Sequence, residues 1–256
     1  MGYGFELRTE SDNVLRISGD YFNLALANKI PLSSFTQQST GVKNAWFSLI
    51  NGLLFKYDLA LPLSLGNPCV ALTGNSSDVF LLGTIRNGGT LSILIYAPNV
   101  SALTGLNAYV FVSGLSSGKK YGRQVFNEQS GACVFDSNLK YMKMVAVGIN
   151  AVNTGQTVTV PSNKTIATLS AQRDYSWQYR GDWIGPPTGG QFLQLWIERM
   201  SYFSRTNTTT FTNKLITNSR SQMSDDISEW EASSLRGEYV RQTTVATVLF
   251  LDVTNY

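Results

Sequence analysis

The sequence contains no histidine and only two cysteines among its 256 residues. The first absence excludes every mechanism that needs an imidazole, from Ser-His-Asp and Cys-His catalysis to the most common transition-metal ligand. With Cys69 and Cys133 alone, neither a four-cysteine nor a mixed cysteine–histidine zinc site can be assembled. The two cysteines stand 64 positions apart, which permits one disulfide but no disulfide framework. Two free, buried thiols are the expected state, with pairing left open. Charge is scarce as well, at 14% of residues, against about a quarter in an average globular chain. Twenty Lys plus Arg against seventeen Asp plus Glu leave +3, and the densest basic run is only Lys119-Lys120 with Arg123 nearby. A nucleic-acid binder shows a clustered basic face instead, so nucleic acid is not an expected partner. Long apolar runs are missing too. The stretch from Leu53 to Leu65 is broken by Lys56, Asp58 and Pro62 and falls well short of the ~20 residues of a spanning helix, so no membrane insertion is expected. The opening Met1-Gly2-Tyr3-Gly4-Phe5-Glu6 lacks the basic-then-apolar order of a signal peptide, and Glu6 stands where myristoylation needs Ser or Thr. A cytosolic product is expected.

What is present is apolar and aromatic: 43% hydrophobic and 12% aromatic residues supply a sizeable core and exclude pervasive disorder. The chain also resembles itself. Tyr3-Gly4-Phe5-Glu6-Leu7-Arg8 returns as Tyr121-Gly122-Arg123-Gln124-Val125-Phe126, an offset of 118 residues. At that offset Leu7 falls on Val125, Asn13 on Gly131, Ile17 on Phe135, Leu24 on Met142 and Leu26 on Met144. Both copies read as a strand, a polar or glycine-containing turn, a second strand and a third. In the second copy these are Gly122–Phe126, the turn at Glu128–Gly131, Ala132–Phe135 and Tyr141–Val147.

Short strands with turn chemistry between them make up the remainder. Trp46–Ile50 and Leu53–Tyr57 flank Asn51-Gly52, a strong hairpin signal because both residues tolerate the φ > 0 of a type I′ turn. Val79–Ile85 and Thr90–Tyr96 flank Asn87-Gly88-Gly89 in the same way. Ala108–Val112, Thr157–Val160, Thr165–Leu169, Phe192–Ile197 and Val245–Val253 complete the set. One helix is predicted, over Ser224–Leu235, with Ser224 as cap, acidic residues in the first turn, and Ile227 and Trp230 on one face. The small, polar segment Ser113–Lys120 precedes the second Tyr-Gly and marks a boundary. The expected architecture is therefore all-β: two tandem β-sandwich-like domains, residues 1–115 and 116–256, with one short helix in the second. The second is the longer because of an aromatic, Pro/Gly-rich insertion over Arg173–Gly190.

Two catalytic patterns are matched in letters only. Gly114-Leu115-Ser116-Ser117-Gly118 fits G-x-S-x-G, but a nucleophile elbow needs a following helix and a histidine, and a strand follows here. Gly114 to Lys119 is one residue short of a phosphate-binding loop, and Lys120 replaces the Ser or Thr that would hold magnesium. No D-x-D-x-D-G calcium loop is present. Asp225, Asp226, Glu229 and Glu231 form the main acidic concentration. A glycosidase wants two carboxylates facing each other across a cleft, whereas these read as the solvated first turn of the predicted helix. No catalytic residue, metal ligand or cofactor is assigned.

The candidate contact residues lie in Tyr175-Ser176-Trp177-Gln178-Tyr179-Arg180-Gly181-Asp182-Trp183, ahead of a Pro-Gly-rich loop. Tyr175, Trp177, Tyr179, Arg180 and Trp183 are of the types that dominate protein contacts, and aromatic faces also stack on sugars. A second reading makes Trp177 and Trp183 ordinary core residues. Both stay open.

One pattern is specific. Tyr121, Gly122, Val125, Asn127, Gly131, Phe135, Asp136 and Ser137 spell Tyr-Gly-x-x-Val-x-Asn-x-x-x-Gly-x-x-x-Phe-Asp-Ser. This resembles the opening of a family of minor tail, or tail-tip, proteins of tailed bacteriophages. The match covers residues 121–150 and, more faintly, 3–27, where Thr9, Ile17 and Ser18 replace Asn, Phe and Asp. The resemblance implies a virion component made in the host cytoplasm and placed at the tail tip or baseplate. It implies contacts with other tail proteins (the central fibre or hub), a homo-oligomer of threefold or sixfold symmetry with a trimer favoured, and a host surface receptor as a further contact. It implies no enzymatic activity. The competing expectations are a carboxylate-based polysaccharide depolymerase and a carbohydrate-binding module.

Overall fold

The computed structural model describes residues 6–8, 15–18, 23–38, 53–74, 77–127, 129–149, 155–172, 175–184, 191–224, 237–243 and 247–256. Their regular structure is almost entirely strands in antiparallel sheets. Two short hairpins head the two halves: β1 (Glu6–Arg8) with β2 (Leu15–Ser18), and β10 (Gln124–Phe126) with β11 (Cys133–Asp136). A six-stranded sheet spans both halves. From the first half come β3 (Ala25–Pro31), β6 (Cys69–Thr73) and β9 (Asn107–Val112). From the second come β12 (Met144–Ile149), β14 (Ile166–Gln172) and β19 (Thr247–Asp252), and the order is β12-β19-β14-β6-β9-β3.

Each half adds its own second sheet. In the first, β4 (Thr36–Gln37), β5 (Leu53–Ala60), β7 (Phe80–Asn87) and β8 (Thr90–Ala97) are ordered β4-β5-β8-β7. In the second, the sheet holds β13 (Thr157–Thr159), β15 (Tyr175–Ile184), β16 (Gln191–Arg205), β17 (Thr210–Ser224) and β18 (Gly237–Thr243), ordered β13-β17-β16-β15-β18.

Hydrophobic alternation explains the layers. In β8, Leu91, Ile93, Ile95 and Ala97 are buried while the residues between them are half-buried, the period of two expected of a strand with one covered face. They meet Val70, Leu72, Ala108, Val110 and Val112 of the six-stranded sheet, so the first half is a sandwich with a wholly apolar filling. Each fully buried Leu, Ile or Phe in it contributes about 1.5–3 kcal/mol relative to exposure. The second half repeats the arrangement with Ile166, Val248 and Phe250 against Phe203 and Phe211. The other face of the six-stranded sheet encloses Ala71, Tyr109, Phe111, Ala167, Leu169 and Leu251. Residues Ala108–Val112 of β9 are therefore buried on both faces.

The offset of 118 holds bond by bond. Glu6–Ser18, Leu7–Ile17 and Arg8–Leu15 reappear as Gln124–Asp136, Val125–Phe135 and Phe126–Cys133, with the irregularity at the same place. In β3 the register shifts between Leu26 and Asn28, opposite Phe111 and Val110; in β12 it shifts between Met144 and Ala146, opposite Leu251 and Phe250. The pairing of β6 with β9 likewise recurs in β14 with β19: Cys69–Phe111 and Leu72–Ala108 correspond to Ala167–Leu251 and Ser170–Val248.

These two copies are joined by backbone. β6 pairs with β14 through Thr73–Ala167 and Leu72–Thr168. At the far side of the sheet Ala25 bridges Tyr141, Met142 N–H donates to Leu24 O (2.8 Å) and Leu26 N–H to Lys140 O (2.7 Å). Leu24 and Met142 are themselves counterparts, so the sheet curls back on itself about an approximate twofold axis. The sheet thus runs across the sequence boundary at residues 115/116. The hairpin at Asn87 forms as expected, with Asn87 opposite Thr90 and Gly88 at φ 56. Ser224, expected to cap a helix, is instead the last residue of β17; positions 225–235, and the Trp46–Ile50 arm with Asn51-Gly52, lie outside the described residues.

Candidate functional site

The tail-protein motif is built as one closed unit at the head of the second half. Asn127 Oδ1 accepts from the N–H groups of Gln129 (3.1 Å) and Ser130 (2.9 Å) and from the Ser130 hydroxyl (2.9 Å). The Gly131 N–H returns to Asn127 O at 2.8 Å, with Gly131 at φ 67, a conformation glycine adopts without strain. Asp136 is wholly buried and accepts five hydrogen bonds. The donors are Ser117 N–H (3.0 Å), Ser117 Oγ (2.6 Å), Gln124 Nε2 (2.8 Å), Asn138 N–H (2.9 Å) and Asn138 Nδ2 (3.0 Å). Burial alone would raise its pKa, but the donors from Ser117, Gln124 and Asn138 outweigh that and hold the carboxyl well below the usual range. Ser137 Oγ accepts from Arg123 N–H (2.9 Å), and Phe135 stacks on Tyr141 at 5.1 Å.

Gly122 is required by both conformation and space: φ is 102, and a Cβ would lie 2.6 Å from Asn138 Nδ2 and 2.7 Å from Ser137 Oγ. The motif residues therefore close a hairpin and bind it to the chain leaving β9. Ser117, in the segment that imitates a nucleophile elbow, is one of the ties to Asp136. Tyr121 projects outward, 66% exposed with Lys119 Nζ 5.3 Å from its ring centre, and Phe126 is also exposed.

All five sequence-predicted contact residues lie on β15, a strand within the sheet rather than a loop. Tyr175, Trp177, Tyr179 and Trp183 occupy alternate positions along it, and Arg180 falls between them. In register, Tyr179 stands opposite Trp196 of β16 and Tyr239 of β18, and Trp183 opposite Phe192. Trp177 stands opposite Glu198 and Arg241, Arg180 opposite Leu195 and Glu238, and Tyr175 opposite Met200 and Thr243. The backbone thus brings the row into register with three further aromatic positions, Phe192, Trp196 and Tyr239. Sequence reading missed these because pairing register, which places β16 and β18 on either side of β15, is not written in any one segment; only Tyr239 is distant in the chain. The Pro-Gly-rich stretch 185–190 lies outside the described residues, as do Asp225, Asp226, Glu229 and Glu231.

Of two further polar centres, one ties the second half to the first and the other lies within the second half. Asp78, at φ 57, accepts from Lys214 Nζ (2.7 Å) and Ser204 Oγ (3.3 Å), linking the approach to β7 with β16 and β17. Beside it Tyr96, Phe80 and Tyr202 stack with ring centres 4.8 Å apart, joining the two second sheets. Burial, together with the negative Asp78, pushes the Tyr202 hydroxyl well above its ordinary pKa. Asp252 is buried, bonded to Thr254 Oγ1 (2.6 Å) and N–H (3.1 Å) and paired with Lys164 (3.2 Å) and Lys143 (3.6 Å). Burial opposes its ionisation, but Thr254 and Lys164 prevail and bring its pKa down to about 2.

Cys69 and Cys133 are free thiols. Among the described residues no three His, Cys, Asp or Glu side chains gather as a metal site would need, and no helix is long and apolar enough to cross a membrane. Compared with family models, curated proteins and solved structures, the chain matches none.

Proposed function

We propose that this protein is a structural component of the tail tip or baseplate of a long-tailed bacteriophage. In this reading it binds the central fibre or hub, assembles as a homo-oligomer and contributes to host attachment, transforming no substrate. The observation that carries the reading is the motif from Tyr121 to Ser137. Its letters resemble a tail-protein opening, and each polar or glycine position in it has a mechanical role in one folded hairpin, whose strand pairing recurs 118 residues earlier. The row of aromatic positions on β15 supplies the contact surface, and several copies in one particle raise weak single contacts to useful avidity.

The deciding experiment is the composition of purified particles: mass spectrometry of isolated tails should contain this chain, and its gene should stand beside tail-hub and tape-measure genes. The depolymerase reading makes the opposite prediction. If the protein releases sugar from surface polysaccharide, and joint replacement of Asp225, Asp226 and Glu229 abolishes that release, the structural reading fails.

A further inference from the structure

Charge is scarce in this chain, and most cations in it are already engaged. Among the described Lys and Arg side chains, Lys56, Lys143, Lys164 and Lys214 pair with carboxylates. Lys29, Arg86, Lys140 and Arg205 donate to backbone carbonyls. Three remain: Lys119, Lys120 and Arg123. All are exposed, none has a carboxylate or carbonyl partner among the described residues, and all stand in one short loop.

That loop is held without them. Ser117 binds the Asp136 carboxylate through its N–H and its hydroxyl, and Lys119 N–H donates to Ser117 Oγ (3.3 Å). Asn138 Nδ2 donates to Tyr121 O (2.7 Å), Arg123 N–H to Ser137 Oγ (2.9 Å), and Ser137 N–H to Arg123 O (2.9 Å). Asp136 itself is buried and takes its donors from Ser117, Gln124 and Asn138, none of them cationic. The hairpin does not need the charges either. At the offset of 118 Tyr121 returns as Tyr3, whereas Lys119, Lys120 and Arg123 stand against Met1, Gly2 and Phe5, and the same strand pairing forms in both halves. Like charges gathered without a counter-charge repel one another, so the arrangement costs stability until an anion arrives.

We infer that the Ser117–Arg123 loop binds an acidic polysaccharide, with Lys119, Lys120 and Arg123 meeting its carboxylate or phosphate groups and a sugar ring laid on Tyr121. Charge complementarity sets the sign of the ligand, and a guanidinium forks onto either acid group. The rest of the loop sets its class. Tyr121 is 66% exposed with Lys119 Nζ 5.3 Å from its ring centre, which puts one flat apolar face beside the cations. Every other residue from Ser116 to Arg123 is Ser, Gly, Lys or Arg, whereas a protein interface draws an apolar core from several side chains. Three cations are also few for nucleic acid, whose binding is built on many phosphate contacts. The backbone ties fix the loop before the ligand arrives, so little ordering is lost on binding. This site is separate from the β15 row and does not depend on a place in a tail.

The test is binding of the full chain to labelled polygalacturonate and to a glycerol-phosphate teichoic acid, followed by fluorescence anisotropy. Neutral dextran, polyglutamate and duplex DNA are the comparison polymers. At least one acidic glycan should bind more tightly than all three. Lys120→Glu should weaken that binding about tenfold or more. Lys56→Glu, an equal change of net charge at a cation already paired, should change it by less than about twofold. Tyr121→Ala should weaken the glycan and leave polyglutamate unchanged. If Lys120→Glu alters the circular dichroism spectrum, Arg123→Gln takes its place. Binding of neither acidic glycan overturns the inference, as does an equal response to Lys120→Glu and Lys56→Glu. So does a preference for polyglutamate or DNA, which would make the loop a protein or nucleic-acid contact. Absence of the chain from purified tails would instead sink the tail-tip reading and leave this site standing.

Discussion

The two halves of this chain share one pairing scheme and stabilise it by different means. Among the described residues of the first half, the buried ones are apolar throughout, from Ile30 and Phe55 to Val112. Asp136, Ser204, Asn213 and Asp252, the buried polar residues among those described, all belong to the second. Their first-half counterparts, where the offsets define them, are apolar or hydroxylic: Ser18 for Asp136 and Val112 for Asp252. Beyond the β16 side of its β16–β17 hairpin the second half also carries β15 and then β18, whereas the first half's second sheet ends at β7 of the β7–β8 hairpin. A duplicated scaffold can thus keep its registers while one copy becomes a plain sandwich and the other accumulates polar ties and an additional aromatic strand. The lesson is that register survives where side-chain chemistry does not.

Replacing the buried carboxylates should break the comparison most visibly. Asp136→Ala leaves the donors of Ser117, Gln124 and Asn138 without their acceptor and should cost on the order of 3 kcal/mol in urea unfolding. Acid titration comes next. Asp136 and Asp252 have folded pKa values below their unfolded values, so the folded state binds fewer protons than the unfolded one. Their stabilisation is complete above about pH 4 and declines on acidification, that of Asp252 as pH falls through about 2. Asp252→Asn should remove up to about 2 kcal/mol at neutral pH and flatten that acid limb, as followed by tryptophan fluorescence. Glycine substitutions sharpen the contrast further. Gly122→Ala combines a positive φ with a clash and should cost about 2 kcal/mol, whereas Gly88→Ala, at φ 56 in open space, should cost about 1 kcal/mol in thermal melts. The smallest effect is expected at Asp58, bonded to Ser92 and Lys56 on the exposed face of β5. Asp58→Asn should shift stability by less than about 0.5 kcal/mol, because solvent and salt screen the pair.

Local signals carried much of the fold. Asn87-Gly88-Gly89 announced β7–β8, and the Tyr-Gly repeat located both head hairpins, because turn chemistry and strand alternation act over a few residues. The joint between β6 and β14 was not legible, since nothing in Leu72 or Thr168 names a partner about a hundred residues away. β17 was missed because its run of Thr, Asn and Ser lacks the apolar alternation that marks a half-buried strand. The segment from Tyr175 to Trp183 was read as an insertion leading into a loop, although aromatics at 175, 177 and 179 already have the period of a strand. Asp136 stood in the motif as a letter. Its role appears only when folding brings Ser117, 19 positions earlier, within 2.6 Å.

The curled sheet has a mechanical consequence. Its halves are laced at two opposite seams, β6 to β14 and Leu24 to Met142, with backbone bonds running between strands. A pull that separates residues 25–112 from residues 142–253 must therefore rupture both seams together instead of peeling one hinge open. Such a body bears a load across its two halves as a single stiff link.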